Sequence, residues 1–232
     1  MATFPVQENM SKHIGRAEIF ELNEAFKYGT EMGMYISRGI EGRSCGSPYD
    51  WGLLSQMIVW AGGGPHLEIG TLFGGSAILA ACTQKKFGLN GHVTCVDPLK
   101  GYYGNPLDVQ SDTNVSIEIV KRNAEQFGVL DDIELVTLPS FPWPLGERQF
   151  VSAFIDGSHI YDAVLKDWLH CAERVKKIIQ FDNYDVVHHG VAQVVKLAIE
   201  HPDWTLLHAS GVTAILARPT DIWPKWKAVD DQ

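Results

Sequence analysis

Two strand-like runs end in residues that can hold a cation or move a proton. Ala153-Phe-Ile-Asp-Gly-Ser-His159 carries Asp156 and His159, and Ile178-Ile-Gln-Phe-Asp-Asn183 carries Asp182 and Asn183. Two carboxylates and an amide carbonyl form a hard, all-oxygen donor set, suited to Mg²⁺ or another divalent cation that keeps positions for water or substrate. An imidazole such as that of His159 takes a proton near neutral pH without special tuning. Plainer readings stand beside these. Asp156 can cap the turn before Gly157, Asp182-Asn183 can simply close a strand, and His159 can be a polar residue opening the next helix.

A third motif is built for binding. In His66-Leu-Glu-Ile-Gly-Thr-Leu-Phe-Gly-Gly-Ser76 a buried strand runs through a glycine-rich turn into a helix. Glycines let the backbone approach a ligand, and the helix start offers free N–H groups and a positive dipole end. Dinucleotide folds place G-x-G-x-x-G here. This chain has Gly70, Gly74 and Gly75, with no glycine at position 72, which argues against a pyrophosphate. A ligand carrying an amino acid fits better: Glu68 can attract an ammonium directly or through water, while Ser76 and nearby N–H groups hold a carboxylate. Val96-Asp97-Pro98 then ends the next strand with an acid able to accept from both hydroxyls of a ribose. The alternative is an ordinary strand–turn–helix with an acidic strand end.

These residues need a frame that brings strand ends together. From about Gly64 onward, strand-like and helix-like runs alternate, which predicts an α/β protein with a doubly wound, mostly parallel sheet. The strand candidates are His66–Gly70, His92–Asp97, Ile133–Leu138, Val151–Asp156 and Lys177–Asp182, with a helix over Ser76–Phe87. Adjacent parallel strands present their C-terminal ends to one crevice, so Asp156, Asp182 and Asn183 can converge. Tyr161, Val164, Leu165, Trp168, Leu169, Ala172 and Val175 recur at helical spacing, as do Val191, Val194, Val195, Ala198 and Ile199; both stripes read as core. Trp204–Ser210 and Val212–Arg218, separated by Gly211, predict an antiparallel hairpin. Residues 1–62 read as a helical extension of the same domain (Ala17–Tyr28 and Tyr49–Ala61) covering the sheet's edge or the mouth of the site. Residues 63–232 form the ligand-binding domain.

Composition narrows the partners. The 19 Lys and Arg against 28 Asp and Glu leave a net charge of −9, which disfavours nucleic acid and anionic membranes and suits a small molecule. No run approaches the roughly 20 apolar residues of a membrane span, and the opening residues hold no secretory apolar run. Cys45, Cys82, Cys95 and Cys171 lie far apart, with Cys82 and Cys95 in apolar surroundings, so a reducing, cytoplasmic setting is expected. Tyr102, Tyr103, Phe141 and Trp143 either wall a substrate or the base of a nucleoside, or bury themselves under their loops. His188-His189 either line the pocket or form a solvated loop pair, with no spacing suited to zinc.

Leu67-Glu-Ile-Gly-Thr-Leu-Phe-Gly-Gly-Ser76 resembles the first motif of the S-adenosylmethionine-dependent O-methyltransferases, especially the metal-dependent catechol and caffeoyl-CoA branch. Leu53-Leu-Ser-Gln-Met57 resembles the helix preceding that motif, and the resemblance spans about residues 50–218. It implies a seven-stranded Rossmann-like sheet ending in the hairpin. It places Glu68, Gly70, Thr71 and Ser76 around the methionine moiety, Asp97 on the ribose and Ser140 on the adenine, with Gly74 also among the cofactor-binding residues. Asp156 borders the cofactor and, with Asp182 and Asn183, would ligate the metal. That branch has a lysine where this chain has His159. The run Asp-Gly-Ser-His-x-Tyr instead resembles a bacterial group with Asp-Gly-x-His, which makes His159 the expected general base. The implied activity is methyl transfer from S-adenosylmethionine to a hydroxyl of a small molecule, assisted by a divalent cation, with a homodimer left open. A nicotinamide-dependent oxidoreductase and a non-catalytic nucleoside-binding protein are the rival expectations.

Overall fold

The structure, a computed structural model, describes residues 16–218 apart from 45, 102, 103, 186, 188 and 211. Helices α1 (Arg16–Gly39) and α2 (Pro48–Trp60) come first. They are followed by β1 (His66–Ile69), α3 (Gly75–Lys86), β2 (Val93–Val96) and a short ribbon of β3 (Leu107–Asp108) and β4 (Thr113–Asn114). Helix α4 (Ile117–Gln126), β5 (Ile133–Val136), β6 (Phe150–Ile155), α5 (Tyr161–Arg174) and β7 (Val175–Asp182) complete the winding. Helix α6 (His189–Ala198) leads to β8 (Thr205–Ala209) and β9 (Thr213–Ala217).

Seven strands form one sheet in the order β5-β2-β1-β6-β7-β9-β8. The first five are parallel; β9 pairs antiparallel with both β7 and β8. The chain winds outward from β1 to β2 and β5, then returns across β1 to start β6. That reversal leaves a crevice above the ends of β1 and β6, where open α/β sheets bind ligands.

Two apolar layers cover the sheet. On one face Leu54, Met57, Ile58, Ile78 and Leu79 pack with Ile178 and Ile215; on the other Trp168, Cys171, Val191 and Val194 pack on Leu67, Ile179 and Phe181. Helix α2 is buried on nearly every side, from Asp50 to Val59, because α1 closes over it. Its N-terminus is fixed by a capping box: Asp50 N donates to Ser47 Oγ, and Ser47 N donates to Asp50 Oδ2. Cys82, Cys95 and Cys171 are buried free thiols, and Cys45 lies outside the described residues. Among the described residues no helix is long and apolar enough to cross a membrane.

The extents differ from the sequence reading in places. Helix α1 runs 24 residues rather than stopping at Tyr28. Helix α4 and the β3–β4 ribbon were not foreseen. The hairpin forms as expected, with Ser210 N donating to Thr213 O at 2.9 Å, and its second strand inserts between β7 and β8.

Candidate active site

The crevice opens into a cavity of about 870 Å³. One half is the glycine turn after β1. Gly70 has φ +88, and a Cβ there would sit 2.1 Å from the Asp156 carbonyl oxygen, so only glycine lets the ends of β1 and β6 meet this closely. Asp97 closes the turn from β2. Its Oδ2 accepts from Thr71 N at 2.7 Å and Leu72 N at 3.1 Å, and its Oδ1 accepts from Leu99 N at 2.7 Å. A carboxylate offers about four acceptor sites, so three backbone amides leave room for roughly one ligand hydroxyl. The first task of Asp97 is therefore to shape the turn. It holds Leu72 at φ +50, at the position where a dinucleotide fold would place its second glycine.

Thr71, Ser76 and Ser140 line the cavity beside Gly70 and Asp97. Glu68 and Gly74 do not. Glu68 is fully buried beneath the turn, where desolvation pushes its carboxyl well above the usual range; Ser76 and Thr71 partly offset this, while Asp156 and Asp97 add repulsion. Burial therefore favours the neutral form of Glu68, and the residue is not part of the cavity wall. Gly74, at φ +88, ends the turn as the N-cap of α3.

The other half is acidic. Asp156 and Asp182 face the cavity as hydrogen-bonding neighbours, and Asn183 follows at φ +55. Burial raises both carboxyls above the carboxylate range, and mutual charge adds to it for Asp182. Two such groups share a proton or a cation. His159 Nε2 stands 3.7 Å from Asp156 Oδ1. Burial lowers the His159 pKa, Asp182 and Asp185 acting in the opposite sense, so the ring favours its neutral, proton-accepting form. The backbone that carries it is pinned from α6: a Cβ on Gly190 would lie 2.4 Å from His159 O.

Sequence reasoning missed two residues of this half. Asp50, 7% exposed, lines the cavity and raises both aspartates; its Oδ1 accepts from Thr213 Oγ1 at 2.9 Å, which ties α2 to β9. The Ser47-Pro-Tyr-Asp50 capping-box pattern was the available signal. Arg43 also lines the cavity, and its Nε donates to Asp108 Oδ2 at 2.8 Å. Asn123 of α4 holds that segment over the turn, accepting from Glu41 N and donating to Glu41 O and Phe73 O.

Other candidates fall elsewhere. Phe141 and Trp143 stack on His170 of α5, outside the cavity wall. His189 is exposed at the start of α6. Tyr102, Tyr103 and His188 lie outside the described residues.

A glycine turn held by an acidic strand end, at the switch point of five parallel and two antiparallel strands, defines a Rossmann-like sheet of the methyltransferase type. Residues 67–184 match the family described as a methyltransferase domain, and since this is over half of the chain, the protein belongs to that family. No curated protein matches it. Among solved structures it is similar to an O-methyltransferase from Bacillus cereus in complex with SAH (17% identity, 92% of this chain and 96% of that one, TM-score 0.56). It is also similar to the O-methyltransferase TomG from Streptomyces achromogenes, involved in tomaymycin synthesis and solved with SAM (14%, 92% and 95%, TM-score 0.56). Cofactor-bound Rv0187 from MTB is a third (19%, 82% and 89%, TM-score 0.56). At these identities the likeness concerns the fold.

Proposed function

We propose that the protein moves a methyl group from S-adenosylmethionine to a hydroxyl of a small molecule. The observation that carries this reading is the single cavity in which a donor-type turn, gripped by Asp97, faces the group Asp156, Asp182, Asn183 and His159. The SAM and SAH held by similar folds support the choice of donor. The net charge of −9 supports a small acceptor over nucleic acid.

In this reading the turn over Gly70–Ser76 and Asp97 fix the donor, and the acidic half fixes the acceptor, so orientation supplies most of the acceleration. The acceptor oxygen forms its new bond to the methyl carbon as the carbon–sulfur bond breaks. The hydroxyl proton passes to the neutral imidazole of His159. Among the described residues no three His, Cys, Asp or Glu side chains group as a metal site. The oxygen set of Asp156, Asp182 and Asn183 nevertheless suits a hard divalent cation, because burial raises both paired carboxyls and Arg43 offsets this only in part at Asp156. Such a cation would supply Lewis acidity that lowers the pKa of the acceptor hydroxyl.

The test is a methyl-transfer screen with labelled donor over phenols, sugars and natural-product extracts, run with Mg²⁺ and with excess chelator. Transfer that needs the divalent ion is expected. Transfer at full rate in chelator would remove the cation from the account, and preferential binding of NAD over S-adenosylhomocysteine would remove the donor.

A further inference from the structure

One buried acid in the cavity has no place in the scheme above. Asp167 projects from the middle of α5 and is 2% exposed, yet it lines the same cavity as Ser140, Ala163 and Gly157. The Ser140 side chain hydrogen-bonds its carboxyl, while Oδ1 is buried with no partner. Burial pushes the carboxyl up to about 6, so at neutral pH it is still mainly an anion. A buried anionic oxygen without a donor is costly to maintain, and the neighbouring wall shows where a donor could come from. Gly157 and Ala163 leave a narrow space beside it: a Cβ on Gly157 would stand 3.8 Å from Asp167 Oδ2 and 3.3 Å from Ile69 Cγ2. A flat group entering there would be lined by Pro139 and Ser140.

The ligand's own donors can be assigned by elimination, taking the donor reading of the previous section as given. An S-adenosyl compound carries N–H or O–H groups at three places: the ammonium, the ribose hydroxyls and the exocyclic amine of adenine. The ammonium belongs with the turn at Thr71 and Ser76, and the ribose with Asp97. The amine is left, and Asp167 is the unpartnered acceptor at the end of the cavity formed by the loop after β5.

We infer that Asp167 accepts a hydrogen bond from the 6-amino group of the donor's adenine, and so makes the protein selective for adenosyl over inosyl compounds. In the deaminated counterpart a carbonyl oxygen replaces that amine and meets the carboxylate acceptor to acceptor. A site built around a buried polar partner discriminates strongly against a ligand that leaves the partner unsatisfied. Ser140 then acts on the base through Asp167, fixing the orientation of its carboxyl.

Calorimetric titration of wild type and Asp167→Asn with S-adenosylhomocysteine and with its hypoxanthine counterpart tests this, with thermal melts confirming that the variant is folded. Wild type should prefer the adenine compound by about 10- to 100-fold, the range for a hydrogen bond to a charged group. Asp167→Asn, whose carboxamide can donate to a carbonyl, should lose that preference or reverse it. Equal weakening of both ligands, or an unchanged preference, would overturn the inference while leaving the donor reading intact, since loop support alone cannot tell the bases apart. Failure of wild type to bind either ligand would overturn the donor reading and this inference with it.

Discussion

The two halves of the cavity are held in different ways. In the glycine-turn half, three backbone amides satisfy Asp97, burial favours the neutral form of Glu68 beneath the turn, and the turn geometry follows from Gly70 and Gly74. In the acidic half, charge is left in tension. Burial raises the pKa values of Asp156 and Asp182, the charge of Asp50 adds to both and that of Asp156 adds to Asp182, while burial lowers the pKa of the nearest imidazole. A binding surface gains from satisfied groups that hold still. A reacting surface needs groups whose charge is unresolved until substrate arrives, and such sites concentrate perturbed pKa values.

If that division is right, variants should separate the halves. The largest effect is expected for His159→Ala: methyl transfer should fall by about 10²–10⁴-fold, the usual worth of a general base, while donor affinity stays near wild type. Single-turnover rates and calorimetry on the same preparation check this, and a rate close to wild type would place the base elsewhere. Gly70→Ala should break both halves together, because the new Cβ meets the Asp156 backbone and the residue must hold a positive φ. A loss of roughly 2–4 kcal/mol in unfolding free energy is expected, read by denaturant titration. Stability equal to wild type would show that β1 and β6 can part without harm. Asp97→Ala should act on the donor side, costing about 1.5–3 kcal/mol of S-adenosylhomocysteine affinity through the ribose and the loosened turn. Unchanged affinity in a folded Asp97→Ala protein would contradict the assignment of that half.

The same division decided what the sequence could reveal. The glycine-turn half is local: strand, turn and acid lie within about one βαβ unit, so Gly70, Thr71, Ser76 and Asp97 were legible from pattern, whereas the place of Glu68 beneath the turn was not. Asp156, Asp182 and Asn183 were found because parallel strand ends must share an edge. Asp50 and Arg43 were missed because they reach the cavity through contacts distant along the chain, to Thr213 and Asp108. Helix α2 was only weakly readable since a helix buried all round shows no periodic face. Helix α4 was missed for a related reason. Its buried stripe of Ile119, Val120, Asn123 and Ala124 includes a polar residue, whose amide is satisfied by Glu41 and Phe73 rather than by water. The length of α1 escaped because Gly29, Gly33 and Gly39 interrupt the segment beyond Tyr28, and its apolar residues Met32, Met34 and Ile36 recur every second position rather than at helical spacing. For Asp97, the sequence showed an acid at a strand end, whereas its three bonds to backbone amides depend on how the turn folds back upon it.

The central claim is that donor binding and methyl transfer reside in separate halves of one cavity. Asp182→Asn tests it most directly, since the substitution keeps the side chain's shape and removes a carboxyl, raised to about 8 by burial, that a bound cation would ionise. S-adenosylhomocysteine affinity and labelled-methyl transfer to the best acceptor from the screen should be measured on one preparation, with Mg²⁺ present. The account predicts nearly unchanged affinity and a transfer rate lowered by more than about 100-fold, as loss of several kcal/mol of charge stabilisation requires. Transfer at the wild-type rate, or donor affinity falling in step with transfer, would contradict it.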